Sequence, residues 1–225
     1  MKKQWCIPAV GAEFVAAMED VLDLYAEPYD PQRPQVNFDE TSKQLLKETR
    51  QPVDGAPGQP QRFDYEYERQ GTRNLFLWVE PQAGRRHVHV TEQRTKLDFA
   101  YEMQWLVDEC YPQATMIRVV LDNLNTHKTA SLYEAFAPAQ ARRIAKKLEF
   151  HYTPKHGSWL NMAEIELSVL QQQCLDRRIA DEATLQHEIA AWEHQRNAEQ
   201  ATITWRFSVT DARKKLQKLY PSPQV

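Results

Sequence analysis

Residues 116–128 read MIRVVLDNLNTHK, and this stretch decides how the rest of the chain is arranged. Ile117, Val119, Val120 and Leu121 form a short, mostly β-branched run, the pattern of a strand buried on both faces in the middle of an α/β sheet. The run ends in Asp122. Asn123, Asn125, Thr126 and His127 then stop the strand, and residues 128–136 read as a helix. Ligands of open α/β sheets gather at strand ends, so a carboxylate there faces a site or, more simply, caps the next turn. The residue type alone leaves both readings open.

Upstream, residues 11–26 carry Phe14, Met18, Val21, Leu22 and Tyr25 on one stripe and Glu13, Glu19, Asp20 and Asp23 elsewhere, which predicts an acidic amphipathic helix. Pro28, Pro31 and Pro34 follow as a connector that cannot continue it. Residues 35–40, QVNFDE, predict a short strand with Val36 and Phe38 on one face and Asn37 and Asp39 on the other, a second strand ending in an acid. Around the Pro/Gly stretch 52–60, residues 42–69 are expected to be an irregular excursion. Residues 74–80 and 86–91 predict a hairpin with His87 and His89 on its polar face. No third ligand sits nearby in sequence, so a metal role for that pair is disfavoured.

Downstream, a helix is expected over 96–111, stopped by Pro112, and after the central strand a second helix over about 139–148. Residues 149–152 predict a strand and TPKHGSW, 153–159, a loop. Helices follow over 160–177 and 181–197, the latter capped by Asp181 with Leu185, Ile189 and Trp192 inward. The tail holds Trp205, Phe207 and a basic run from Arg213, and is expected to pack back on the domain. There is no internal repeat, GxGxxG or P-loop.

A chain of 225 residues suits one sizeable α/β domain with appendages, or two small domains, and a hydrophobic fraction of 42% supports a packed core. No apolar run approaches a membrane span and residues 1–14 lack a signal-peptide core, so a soluble, intracellular protein is expected. Cys6, Cys110 and Cys174 are odd in number and contain no CxxC, which argues against a disulfide frame or zinc ribbon. The net charge is -3, unevenly spread. In residues 1–30 Lys2 and Lys3 face six acids, net -4, leaving +1 elsewhere. Positive charge clusters at Lys43, Lys47 and Arg50, at Arg142, Arg143, Lys146 and Lys147, and at Arg213, Lys214, Lys215 and Lys218. Such clusters suit phosphate contacts or solvated helix faces.

Three acids thus occupy similar places: Asp39, Asp122, and either Glu164 or Glu166 early in the helix after the last strand. Two residues apart on a helix means roughly 200° of rotation, so only one of the two glutamates can face the site. Converging carboxylates suit Mg²⁺, which keeps waters and takes oxygen ligands. Two such ions about 3.5 to 4 Å apart serve in-line phosphoryl displacement.

FDE at 38–40, VVLDNLNTHK at 119–128 and TPKHGSWLNMAEIE at 153–166 resemble, in order, the three signature blocks of DDE transposases of the mariner-like superfamily, in its bacterial insertion-sequence branch. The third block has the form Leu-Asn-x-x-Glu, matched by Leu160, Asn161 and Glu164, so the resemblance selects Glu164. It covers roughly residues 31–200. It implies an RNase H-like fold, a mixed central sheet flanked by helices, here with an N-terminal helical arm over 1–30, a catalytic domain over 31–200 and a basic tail over 201–225. It further implies metal-dependent cleavage of transposon ends and strand transfer into target DNA. Asp39, Asp122 and Glu164 would be both catalytic and the ligands of two Mg²⁺ or Mn²⁺ ions. Asn161, His127 and His156 stand as site neighbours, and Lys43, Lys128, Arg142, Arg143, Lys146, Lys147 and Lys155 as candidate DNA contacts.

The family works as dimers on paired DNA ends, which sets a homodimer, no membrane, and a cytoplasmic, nucleoid-associated location as expectations. Its helix-turn-helix modules precede the catalytic domain, and residues 1–30 leave no room for them, so a separate polypeptide or a missing N-terminal module is expected to supply end recognition. The interval between Asp122 and Glu164 also exceeds the family's usual one, with 137–147 the expected insertion. Two alternatives use the same features: a stand-alone RNase H-like nuclease, and a decayed or domesticated non-catalytic DNA-binding module.

Overall fold

The computed structural model describes residues 11–221 apart from 52, 61 and 63; Lys2, Lys3 and Cys6 lie outside the described residues. β4 (Ile117–Leu121) is buried at all five positions, as its run of apolar side chains requires. Its one charged residue, Arg118, extends its guanidinium to Glu27 and to the Arg33 carbonyl, which ties the proline connector to the strand.

Around β4 stand β1 (Gln35–Glu48), β2 (Tyr67–Glu80), β3 (Arg85–Thr91) and β5 (Leu148–Tyr152) in the order β3-β2-β1-β4-β5. β1, β2 and β3 form an antiparallel meander, while β4 and β5 run parallel to β1. Helices α2 (Lys96–Trp105), α3 (Thr129–Ala135) and α4 (Pro138–Ala145) cover one face, packing Phe99, Met103, Leu132 and Ile144 on Val36, Phe38, Phe76, Trp78, Val119 and Leu121. Helices α5 (Met162–Leu170) and α6 (Glu182–Ala198) cover the other, against Leu75, Leu77, Val79 and Val88. The alternation of Leu75, Leu77 and Val79 with Phe76 and Trp78 explains why β2 reads as an unbroken apolar run: both its faces are buried.

α1 (Ala12–Ala26) and α7 (Val209–Lys215) meet on the α5 side, where Met18, Val21, Leu22 and Tyr25 share a cluster with Val120, Leu160, Met162 and Ala212. Arg213 of the basic tail pairs with Glu19 on α1. The tail therefore packs back as its aromatic residues suggest.

Two expectations need correction. β1 does not stop at Glu40; it runs on to Glu48, paired with β2 back to Tyr67 across a bulge between Gln44 and Leu46. The two ends of 42–69, residues 42–48 and 67–69, are thus strand, because β2 completes the backbone hydrogen bonds that a six-residue strand would have ended, while the described residues between them hold only isolated bridges. The helices expected over 96–111 and 160–177 each change pitch: α2 continues as a π turn, Leu106–Cys110, and α5 as another, Gln171–Leu175. At the β2–β3 turn Gly84 has φ 67°, and a Cβ there would lie 2.5 Å from the Gln200 backbone. α6 also closes the β3 edge, since Asn197 Oδ1 and Glu193 Oε2 accept from the Arg86 and Val88 amides (2.9 and 3.1 Å).

Candidate active site

The parallel ladder between β1 and β4 ends at the pair Asn37 and Val120. Two residues further along each chain stand Asp39 and Asp122, and neighbouring strands lie about 4.8 Å apart. Asp39 therefore sits where β4 stops beside it, while β2 still holds its other edge. Alternation puts Asp39 on the face opposite Phe38, toward α5.

Glu164 lies in the first turn of α5, whose N-cap is Asn161; its Oδ1 accepts from the Ala163 amide at 3.1 Å. The Asn161 amide group reaches the Phe38 carbonyl (2.9 Å) and Asp39 Oδ2 (3.4 Å), fixing α5 against β1. Burial, joined by the charges of Glu40, Asp122 and Glu164, pushes the Asp39 carboxyl up to about 7, against one hydrogen bond from the Glu40 amide. Asp39 is thus close enough to feel the charges of both Asp122 and Glu164. Glu166 faces the other way: it is fully buried and paired with Arg86 (2.9 Å) and Arg196 (2.9 Å).

Asp122 is held from the opposite side. Its Oδ1 accepts from the Leu124 amide (3.1 Å) and lies 2.6 Å from His127 Nδ1. His127 is 1% exposed, edge-on to Phe38 and beside Phe99, and its Nε2 lies 3.1 Å from Glu40 Oε2 as an ion pair without hydrogen-bond alignment. Burial would pull the imidazolium down, but Asp122 and Glu40 outweigh it and lift His127 to about 9. A charged His127 in turn holds the Asp122 carboxyl below its usual range. Glu40 was missed by the sequence reading; the signal was there in FDE, since adjacent residues of a strand point to opposite faces and Glu40 must join Phe38 against the α2–α3 layer.

After β5 the chain turns back over the site. His156 adopts φ 66°, and Gly157 closes a turn through its amide to the Pro154 carbonyl (2.8 Å). Asp122, Leu124, Thr153, Pro154, Lys155 and His156 line an open cavity of about 530 Å³. Lys128, exposed at the start of α3, adjoins His127. Of the two lysines, Lys155 lines the cavity.

The other proposed phosphate contacts stand elsewhere. Lys43 donates to the Leu175 and Arg177 carbonyls (2.5 and 2.8 Å) and is tied up in closing the turn after α5. Arg143 pairs with Asp108, and Lys147 donates to the Pro112 carbonyl (2.7 Å). Lys147 also accepts from the Ile117 amide, so this cluster sits at the start of β4, about 16 Å from Asp122 at 3.3 Å per residue. Arg142 and Lys146 are exposed at that far end.

The residues fit divalent metal by donor chemistry. Asp39, Asp122 and Glu164 offer only hard carboxylate oxygens, and the repulsion that Asp122 and Glu164 exert on Asp39 is what a dication relieves. Among the described residues no three His, Cys, Asp or Glu side chains are grouped to hold one ion. A second cavity of about 530 Å³, between β3 and α6, contains His87 and His89, but Glu193 and Glu102 engage their Nδ1 atoms, both at 2.8 Å.

A sequence model of the DDE superfamily endonucleases matches residues 34–186, a span that contains all three acids. The chain belongs to that family. Structures of the Mos1 mariner paired-end complex with Mn and of the Mos1 strand transfer complex each match 97% of this DDE chain with a TM-score of 0.58 at 12% identity. A pre-cleavage Mos1 transpososome matches 89% with a TM-score of 0.52 at 15% identity. The DDE chain spans 65%, 64% and 66% of those polypeptides, about two thirds of their length. At such identities the likeness concerns the fold, which is RNase H-like: a mixed five-stranded sheet with helices on both faces. A comparison with curated protein sequences gave no match. No described helix is long and apolar enough to cross a membrane.

Proposed function

We propose that this DDE chain is the catalytic domain of a DNA transposase, cutting phosphodiesters at transposon ends and joining the freed strand to target DNA. The observation that carries the reading is Asp39, which feels the charges of Asp122 and Glu164 where the β1–β4 ladder ends, on a chain of the DDE endonuclease family. Asp39 and Asp122 would hold or flank two Mg²⁺ or Mn²⁺ ions, with Glu164 completing a ligand shell. When bound, such ions supply Lewis-acid activation of the attacking oxygen and neutralise charge at the leaving one. The chain's own side chains do the arranging. His127, kept cationic by Glu40, fixes the rotamer and ionisation of Asp122. Asn161 sets Asp39 against α5. Lys128 and Lys155 meet backbone phosphates at the rim, steering the duplex toward the acids. Water attacks the phosphorus in the first step and a 3′-hydroxyl oxygen in the second, each displacing an oxygen in line. The working unit would be a homodimer on paired DNA ends, acting in the cytoplasm at the nucleoid.

The test is nicking of supercoiled plasmid with Mg²⁺ or Mn²⁺, alongside a strand-transfer assay on DNA with free 3′ ends. Wild type should nick, and Asp122→Asn should lose nicking while keeping its fold and non-specific DNA binding. An Asp122→Asn variant that nicks at near wild-type rate would refute the mechanism. Nicking without any joined product would point to a stand-alone nuclease instead.

A further inference from the structure

A chain of hydrogen bonds runs from the N-terminal helix to the acids. The Tyr25 hydroxyl donates to the Leu160 carbonyl (2.6 Å) and accepts from Asn37 Nδ2 (2.5 Å). Asn37 Nδ2 gives its other proton to Asn161 Oδ1 (3.3 Å). Asn161 Nδ2 spends its two protons on the Phe38 carbonyl and Asp39 Oδ2. Every donor in the series is used once and the directions are mutually consistent, so none can flip without breaking the rest. Asn37 and Asn161 are 0% and 1% exposed. Burial holds the Tyr25 phenol far above its ordinary pKa, so it stays a proton donor.

The three residues link three elements. Tyr25 belongs to α1, Asn37 to β1 two residues before Asp39, and Asn161 to the cap of α5 three residues before Glu164. Around Asn161, β1 and α5 also share an apolar cluster through Leu45, Ala163 and Leu170, and apolar packing does not specify register as hydrogen bonds do. Trp205 of the C-terminal segment, 5.2 Å from the Tyr25 ring, keeps that ring in place.

We infer that Tyr25 and Asn37 are positioning residues: through Asn161 they set Asp39 on β1 relative to Glu164 on α5, which makes the N-terminal helix a working part of the catalytic unit. The inference rests on the transposase reading of the acids. It concerns how the acids are held, and Tyr25 itself touches no reacting atom.

The experiment compares the full chain with Tyr25→Phe, with the near-isosteric Asn37→Leu, and with Val21→Ala, which loosens α1 without touching the hydrogen-bond series. Mn²⁺ affinity is read by electron paramagnetic resonance titration, and kcat and KM by plasmid nicking. Losing support behind metal ligands typically costs 10–100-fold in metal affinity or activity. Tyr25→Phe and Asn37→Leu should each weaken Mn²⁺ binding and lower kcat about tenfold with KM for plasmid unchanged. Val21→Ala should lower the melting temperature and leave both constants alone. The inference is overturned if folded Tyr25→Phe and Asn37→Leu bind Mn²⁺ and turn over like wild type, or if Val21→Ala shows the same losses. A wild-type chain that neither binds Mn²⁺ nor nicks DNA overturns the transposase reading itself, a result visible before any variant is made.

Discussion

Glu164→Gln and Glu166→Gln make the same chemical change two residues apart, and the structure assigns them opposite consequences. Glu166 is fully buried, with Oε1 2.9 Å from both Arg86 Nε and Arg196 Nε and Oε2 3.2 Å from Arg196 Nη2. The Arg86 side chain is itself 0% exposed. Glutamine keeps the shape but removes the carboxylate paired with that buried guanidinium. Removing one partner of a buried pair costs about 3–5 kcal/mol. The lower end applies, because Arg86 keeps the Gly84 and Arg196 carbonyls (both 2.8 Å) and the Ala201 carbonyl. A loss of about 3 kcal/mol lowers the melting temperature of a chain this size by roughly 6–12 °C. Glu164 is half-buried and repels Asp39, so its neutralisation should move stability by no more than about 0.5 kcal/mol. Urea unfolding of both variants, with plasmid nicking measured well below the transition, separates the effects. Glu166→Gln should unfold early yet cut DNA while folded; Glu164→Gln should be stable and inactive. Equal stabilities, or a stable Glu166→Gln that cannot cut, would refute the assignment of the two faces.

Two further outcomes follow from charge placement. Burial pulls the His89 imidazolium down, but its hydrogen bond and attraction to Glu102 more than offset this, leaving its pKa above the ordinary value. A raised histidine stabilises the fold fully below the unfolded pKa and loses that contribution as pH rises through the folded one. The stability gap between wild type and His89→Gln should therefore be larger in urea titrations at pH 5.5 than at pH 8.5, roughly one to two units either side of the ordinary value; a gap that widens with pH contradicts the pairing. Neutralising Lys128 and Lys155 together should reduce the slope of log affinity against log salt by about 1.8 on duplex DNA, at about 0.9 per phosphate contact. Neutralising Arg142 and Lys146 should leave nicking chemistry unchanged, and lost cutting there would place DNA across the far end of the sheet.

Local signals carried most of the framework. The apolar run of β4 demanded a strand buried on both faces, and Asp122 at its end followed. Asp181 and Asn161 are N-caps because a side-chain oxygen there meets free amides of the first helical turn. Rotation along a helix excluded one of Glu164 and Glu166 without saying which; the resemblance of LNMAE selected Glu164, and the structure buries Glu166 against Arg86 and Arg196.

What the local pattern could not carry was any term that depends on a distant partner. The length of β1 beyond Glu40 is set by β2, whose pairing residues lie 19 to 34 positions away in the chain. Glu40 gains its role only because His127 is brought against Phe38 from a loop after β4. Lys43, Arg143 and Lys147 read as free cations until carbonyls and a carboxylate from remote segments claim them. Glu166 became structural, and Tyr25 came within reach of the acids, for the same reason. Period and capping are written within one or two turns of chain, so the sequence by itself determined most of the elements and the placing of Asp122 just after β4. Burial of a polar group is tolerable only when its partner arrives, and that matching of partners across the chain was decided by the tertiary structure alone.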